Sequence, residues 1–263
     1  MTKAFRTATC AVLIGTVLSG CTSTRTPART ATLPAAGGPT AHGVASTSST
    51  SASTACAPVF DPASFGARPV DNKYYPLPLG RVLVYRGTRD GQTQTDTVTV
   101  TRQTKIIDGV TAVVVADKAE HDGTPLEETL DYFAQDRAGT VWYLGEDTKS
   151  FDPDGTVDTS GSWTAGVNGA TPGVIMLADP RVPCGYRQEF LRGEAEDTAW
   201  IIGRGATVTV PYGTLKDTVR SLEVTVLEPD VVDEKVYAPG LGIVRERSLA
   251  GPAEMAKLVS VRG

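Results

Sequence analysis

The chemistry-bearing side chains of this 263-residue chain are mostly carboxylates. Asp131, Asp136, Glu146, Asp147, Glu189, Glu194, Glu196 and Asp197 fall between the middle of the chain and residue 197. Glycoside hydrolysis needs two such groups, one on either side of a sugar bond, so a cell-envelope hydrolase is one reading of them. Sequence does not set their separation, and on an acidic surface they read first as solvated strand edges and turns. Imidazole chemistry has less to work with. Of the two histidines, His42 lies in a Ser/Thr-rich stretch and His121 directly precedes Asp122-Gly123, the position of a hairpin tip. A Ser-His-Asp or Cys-His device needs its ring held in a site, which a hairpin tip does not offer. No G-x-S-x-G elbow, H-E-x-x-H pair or Walker loop occurs. Gly240-Leu241-Gly242 lacks the third glycine of a dinucleotide loop, and Asp152-x-Asp154-Gly155 is a calcium-loop fragment without the remaining ligands. No catalytic residue, metal site or cofactor is assigned.

Charge narrows the partners. Residues from Asp61 onward hold 21 of the 25 basic groups and all 30 acidic ones, a net of −9. Phosphate-backbone binding needs a basic footprint, so nucleic acid is excluded as a partner.

The elements that would position these side chains follow from the chain's three materials. Residues 1–20 read as a secretory signal: Lys3 and Arg6 at the start, a short apolar stretch from Ala11 to Leu18, then small residues. Leu18-Ser19-Gly20-Cys21 resembles a bacterial lipobox. The resemblance implies diacylglyceryl transfer to the Cys21 thiol, cleavage before it and acylation of the new amino terminus with palmitate-type chains. Two or three acyl chains anchor stably where one is marginal. Residues 21–56 are then a lipidated Ser/Thr-rich linker. From Thr22 to Ala55, 15 of 34 residues are Ser or Thr, and none is acidic or aromatic. Such a segment buries too little apolar surface to order itself and is expected to be a disordered tether, with an end-to-end distance of roughly 30 Å. The expected location is the extracytoplasmic face of a cell membrane, with the membrane itself a partner through the anchor.

Residues 57–263 read as strands. Val98 and Val100 alternate with Thr97, Thr99 and Thr101, and Leu222, Val224 and Val226 alternate with Ser221, Glu223 and Thr225. Both are the period-2 pattern of a half-buried strand. Val110 to Ala116 is nearly continuous and β-branched, as in a strand covered on both faces. Asp90-Gly91, Asp108-Gly109, Asp122-Gly123 and Asp154-Gly155 are hairpin-turn dipeptides, and Ala138-Gly139 and Pro239-Gly240 mark further turns. Gly193 to Ile201 is the one candidate for a short helix. The expected architecture is all-β: a single antiparallel meander of about ten strands, curled as a half-barrel or barrel.

Of four cysteines, Cys10 leaves with the signal and Cys21 takes the lipid, which leaves Cys56 and Cys184. An even remainder in an oxidising compartment predicts a disulfide between the start of the domain and the loop ending at Cys184.

The stretch from Tyr132 to Gly145 is the most distinctive. Its D-x-x-G-x-x-W core, Asp136 to Trp142, resembles a blade motif of sensor-type β-propellers, but a propeller repeats its motif at every blade and this one occurs once. It reads as a hairpin with Gly139 in the turn. Together with Tyr186-Arg187-Gln188-Glu189, Val210-Pro211-Tyr212-Gly213 and Tyr237 to Gly242, it resembles a family of secreted, lipoprotein-like bacterial β domains with no established activity. The resemblance spans most of Val59 to Val261 and implies the fold and secretion without supplying a catalytic residue. An excess of Arg over Lys, 17 to 8, fits a GC-rich actinobacterial source.

Two functions follow from these readings. In the first the protein is a tethered binding or interaction module, whose sheet holds an apolar or glycan ligand or docks an envelope protein. Tyr132, Trp142, Tyr143 and Trp163 are its candidate anchors and Arg187 its anion contact. In the second it is a hydrolase with a carboxylate pair. Two carboxylates across an open cleft would favour the second.

Overall fold

The structure, a computed structural model, describes residues 56–263. The expected signal peptide, the Cys21 lipidation site, the linker and His42 lie outside the described residues. Apart from a 3₁₀ turn at Pro62–Ser64, the described chain is built of strands. β1 (Asp71–Asn72) and β2 (Tyr75–Pro76) form a small hairpin. β3 (Val82–Arg89), β4 (Gln92–Ile107), β5 (Val110–His121), β6 (Thr124–Gln135) and β7 (Val141–Phe151) follow as an antiparallel meander. Short β8 (Val157–Asp158), β9 (Trp163–Thr164) and β10 (Gly173–Met176) all pair with the free side of β7. A second meander holds β11 (Cys184–Arg187), β12 (Asp197–Val210), β13 (Gly213–Thr225), β14 (Val232–Ala238), β15 (Gly242–Ala250) and β16 (Glu254–Arg262).

The expected all-β class and curled antiparallel sheet are present, and the topology is finer than one meander. β16 pairs with β3, Leu258 opposite Tyr85, so the two meanders are stitched through the first and last long strands. The outermost strands, β10 and β11, are not laddered together, yet the sheet curls until they nearly meet. Thr171 and Phe190, just beyond each, make one antiparallel bridge, with Thr171 N–H donating to the Phe190 carbonyl at 2.8 Å. Gly173 is needed at this seam: a Cβ there would stand 2.0 Å from the Gln188 carbonyl oxygen.

Local sequence explains the turns. Asp90-Gly91, Asp108-Gly109 and Asp122-Gly123 all have both residues at positive φ, the paired left-handed geometry that matches strand twist. At Asp154-Gly155 only the glycine is left-handed, and the Asp154 carboxylate accepts from Thr156 N–H at 2.9 Å, a turn rather than a calcium loop. Gly193–Ile201 is not a helix. Gly193 sits in a turn whose N–H bonds the Glu196 carboxylate at 2.8 Å, and from Asp197 the chain enters β12, where pairing to β13 outweighs local preference.

Residues 57–80 plug one end of the curled sheet. Phe65, Val70, Tyr74 and Leu77 are buried there, and the Tyr75 ring meets Phe133 edge-on at 5.3 Å. Backbone groups of the plug are satisfied by side chains of the sheet: the Gln135 Oε1 atom accepts from Asp71 and Asn72 N–H at 2.9 and 2.8 Å. Cys56, the first described residue, is disulfide-bonded to Cys184 at the start of β11, with Cα atoms 5.4 Å apart. That is the predicted pairing.

The D-x-x-G-x-x-W motif is a turn clamp. One Asp136 oxygen accepts from Gly139 and Thr140 N–H, each at 2.9 Å, and the other from Trp142 Nε1 at 2.9 Å.

Candidate functional site: an acidic lumen around Lys235

Pairing register places alternate residues of each strand on the concave face. In β13 the inward set is Ser221, Glu223 and Thr225, all buried, while Leu222 and Val224 are half-buried on the convex side and Val226 is 70% exposed. The apolar set of this strand is thus not its buried set. In β4 the relation is the ordinary one, with Val98 and Val100 turned inward.

The concave face has two tiers. Near the plug it is apolar and aromatic, with Phe133, Tyr143, Tyr237, Ile201 and Leu83 buried. Beyond it the side chains are carboxylates from almost every long strand: Asp96, Asp117, Glu127, Asp131 and Glu146 from the first meander, Asp197, Glu223 and Glu246 from the second, and Glu189 from the seam. Lys235 stands among them with no exposed surface, its Nζ 2.7 Å from Glu223 and 3.8 Å from Glu246. Glu223 also accepts from Ser221 Oγ at 2.9 Å and Tyr237 OH at 3.2 Å. Tyr143 OH donates to Asp131 at 2.6 Å, and Trp163 Nε1 to Glu189 at 2.9 Å.

Many oxygens of this tier have no hydrogen-bond donor. They include both of Asp117 and one each of Asp131, Glu146, Glu189, Asp197 and Glu246. An ionised carboxylate buried without a partner is costly, so such groups keep their protons. Burial pushes Asp131 and Glu127 up to about 7 and Asp197 up to about 8. Asp117, Glu146 and Glu189 are held well above the ordinary range, first by burial and then by neighbouring carboxylates. One lysine cannot neutralise so many acids, and protons supply the balance.

The space beside these groups is small. A cavity of about 40 Å³ is lined by Tyr85, Val115, Asp131 and Ile243, and another of about 20 Å³ by Asp197, Glu223, Glu228 and Asp233. Each has room for one or a few waters, against roughly 300–1,000 Å³ for a small-molecule pocket. Among the described residues no three His, Cys, Asp or Glu side chains converge as a metal site.

Several expected placements change here. Asp131, Asp136, Glu146, Glu189 and Asp197 are buried rather than solvated: inward register, not residue type, decides the side of Asp131, Glu146 and Asp197, while Asp136 is enclosed by the turn it clamps and Glu189 lies at the seam beneath Trp163. Asp147 and Glu194 remain exposed. The four aromatic anchors do not share a site. Tyr132 lies on the convex face under Lys105, whose Nζ is 3.9 Å from the ring centre, and its OH donates to Asp147 at 2.5 Å. Trp142 packs edge-on against Phe60 at 5.2 Å in the plug. Tyr143 and Trp163 do meet, at 5.2 Å, inside the lumen wall. Arg187 is exposed with its guanidinium 4.1 Å over Phe190. His121 sits at its hairpin tip, with Nδ1 2.6 Å from the Thr93 carbonyl. Lys235, Glu223, Glu246, Asp96, Asp117 and Glu127 were not singled out by sequence. The available signal was the run Asp233-Glu234-Lys235 inside a strand, where one charge must face inward.

No protein-family model matches the chain, and no curated protein matches it in sequence. Two solved structures are similar. One is a protein described as exported, with a YmcC-like fold, from Bacteroides fragilis: TM-score 0.45, 14% identity, covering 73% of this chain and 100% of that one. The other is described as a lipoprotein, from Parabacteroides distasonis: TM-score 0.38, 12% identity, covering 73% and 100%. At this similarity neither carries a function or a source across to this chain.

Proposed function

We propose that the chain is an extracytoplasmic binding module, tethered to a membrane through Cys21 and without catalysis of its own. The observation that carries this reading is the enclosure of the carboxylates. A glycosidase must admit a sugar ring between its two acids; here Asp131 lines a space of about 40 Å³, Asp197 and Glu223 one of about 20 Å³, and Asp117, Glu146 and Glu189 are buried. The protons they hold serve the fold, and recognition falls to the outer surface. The Cys56–Cys184 disulfide suits an oxidising compartment. An apolar or glycan ligand stacked on Tyr132, Trp142, Tyr143 and Trp163 loses its platform, since those rings are packed.

The test is an assay of the full detergent-extracted chain against cell-wall glycans and chromogenic glycosides, beside a Glu146→Gln/Glu189→Gln variant. No sugar release above the variant is expected, and release that depends on these two carboxyls would establish the hydrolase instead. Cys21→Ser should move the protein from the detergent phase to the aqueous phase. Equal partitioning of both forms would remove the anchor.

A further inference from the structure

We propose that the convex face carries a groove for a phosphate-type dianion, clamped between Arg220 and Arg245. This gives the binding module a ligand class and rests on that reading only in expecting binding without turnover.

The register builds the site. One cross-strand row runs Gly203 (β12), Arg220 (β13), Val236 (β14), Arg245 (β15), Lys257 (β16) and Arg86 (β3). Val236 is buried and small, so it forms a floor between two arginines whose backbones are roughly 10 Å apart, two strand spacings. A groove of about 210 Å³ opens there, lined by Arg220, Arg245, Val236, Thr207, Thr209 and Thr218. That volume holds a phosphate group and its ester oxygen with hydration to spare.

The arginines are held from the far side. Glu234, 2% exposed, accepts from Arg245 Nη2 at 2.8 Å, Arg247 Nε at 3.0 Å and Arg220 Nη1 at 3.5 Å. Each of Arg220 and Arg245 spends one N–H group on this carboxylate, and among the described residues the Nε group of each has no hydrogen-bond partner. Gly203 makes the bed for Arg220: a Cβ at that position would stand 2.9 Å from both Nε and Nη2 of the guanidinium.

Charge selects the ligand. Three guanidinium groups meet one carboxylate, which leaves two positive charges over. Lys257 and Arg86 continue the row with no carboxylate partner among the described residues, and like charges directly opposite on neighbouring strands destabilise a sheet. A bound dianion relieves that repulsion. Guanidinium forks match phosphate oxygens in a two-pronged geometry, and the setting is a domain whose net charge is −9, so the groove is a local positive feature on an acidic protein.

The test uses the full chain in detergent at low ionic strength and pH 7, titrated calorimetrically with inorganic phosphate, glycerol phosphate, succinate and chloride. Saturable 1:1 binding of the two phosphates, at least tenfold tighter than succinate or chloride, is expected. Arg220→Gln should weaken it tenfold or more, as loss of a charge-assisted hydrogen bond implies. Gly203→Val should do the same while leaving every charge in place, because it lifts the guanidinium from its bed. Both variants keep Arg245 and Arg247 on Glu234, and a urea melt checks that each is folded. Co-sedimentation with phosphatidylcholine vesicles, with and without 20 mol% phosphatidic acid, separates the sources. Binding to the charged vesicles alone, lost in Arg220→Gln, keeps the site and makes its ligand a lipid headgroup. Absence of saturable binding in both arms, or binding unchanged in both variants, overturns the groove. Hydrolysis of glycerol phosphate would leave the groove standing and overturn the non-catalytic reading.

Discussion

Two adjacent residues of β14 face opposite ways into opposite charge surroundings. Glu234 points outward and meets three guanidinium groups, while Lys235 points inward and meets carboxyls from the two flanking strands. Both are almost wholly buried. Each is a single charge outnumbered by its opposite, and the two clusters are resolved differently. Arginine does not release its proton in proteins, so the outer cluster keeps an excess positive charge. Carboxyls can take up protons, so the inner cluster neutralises itself. The same arithmetic therefore yields a charged surface on one side of the sheet and a pH-dependent core on the other.

The two clusters titrate with opposite sign. At Glu234 burial raises the pKa, but hydrogen bonds from Arg247 and Arg245 outweigh it and hold the group below its usual range. Its contribution to stability is present above the ordinary glutamate pKa and lost as pH falls through the folded value. In the lumen the folded protein holds protons that the unfolded chain has released. That stabilisation is fully present below about pH 4. It is lost as pH climbs through about 7, at Asp131 and Glu127, to about 8, at Asp197. Urea melts across this range should show stability declining from mildly acid to mildly alkaline conditions. A flat or rising profile would show that the lumen is solvated.

Lys235→Met should have the largest effect. It removes the cation beside Glu223 and Glu246 and should cost about 3–5 kcal/mol at pH 8, by urea denaturation. The cost should shrink at pH 5, where Asp131, Glu127 and Asp197 in the same lumen hold their protons. An equal loss at both pH values would make the lysine a packing element. Glu234→Gln comes next, at about 2 kcal/mol near neutral pH, since it leaves partly buried guanidinium donors without an acceptor. Added phosphate should recover part of that loss if an anion can sit nearby. Glu146→Gln should change little at pH 5 and stabilise by about 1 kcal/mol at pH 8, because an amide needs no proton to stay neutral. Destabilisation at pH 8 would mean that the ionised form has a partner. His121→Ala, at a hairpin tip away from both clusters, should shift stability by no more than about 0.5 kcal/mol. A larger shift in the same melts would give its bond to the Thr93 carbonyl more weight than a surface site.

What was legible in the sequence depended on whether local chemistry or distant pairing decided the outcome. The Asp-Gly turns were readable because two residues at positive φ favour that dipeptide wherever it stands. The Cys56–Cys184 pair followed from elimination, and Asp136 to Trp142 from turn chemistry. The Val/Thr alternation of β4 gave the right inward set because its apolar residues point to the core. The same rule applied to β13 gives the wrong one, since Glu223 faces in toward Lys235 and Leu222 faces out. A carboxylate carries no mark of its own burial. Its partners, on β14 and β15, are fixed only once the register is known. The stitching of β3 to β16 was unreadable for the same reason: it joins residues at opposite ends of the domain.

The disulfide at Cys56 also defines a load path. Any pull on the chain ahead of that residue reaches the crosslink before it reaches the plug at 57–80, and passes straight to Cys184 on β11. From there it spreads into the ladder with β12, where Cys184 lies opposite Ile201 and Arg187 opposite Thr198. The plug, fastened by the Gln135 side chain and by bonds to Arg137, Gly240 and Val100, is thereby taken out of tension. A domain hung from its amino-terminal side can then be tugged without being uncorked.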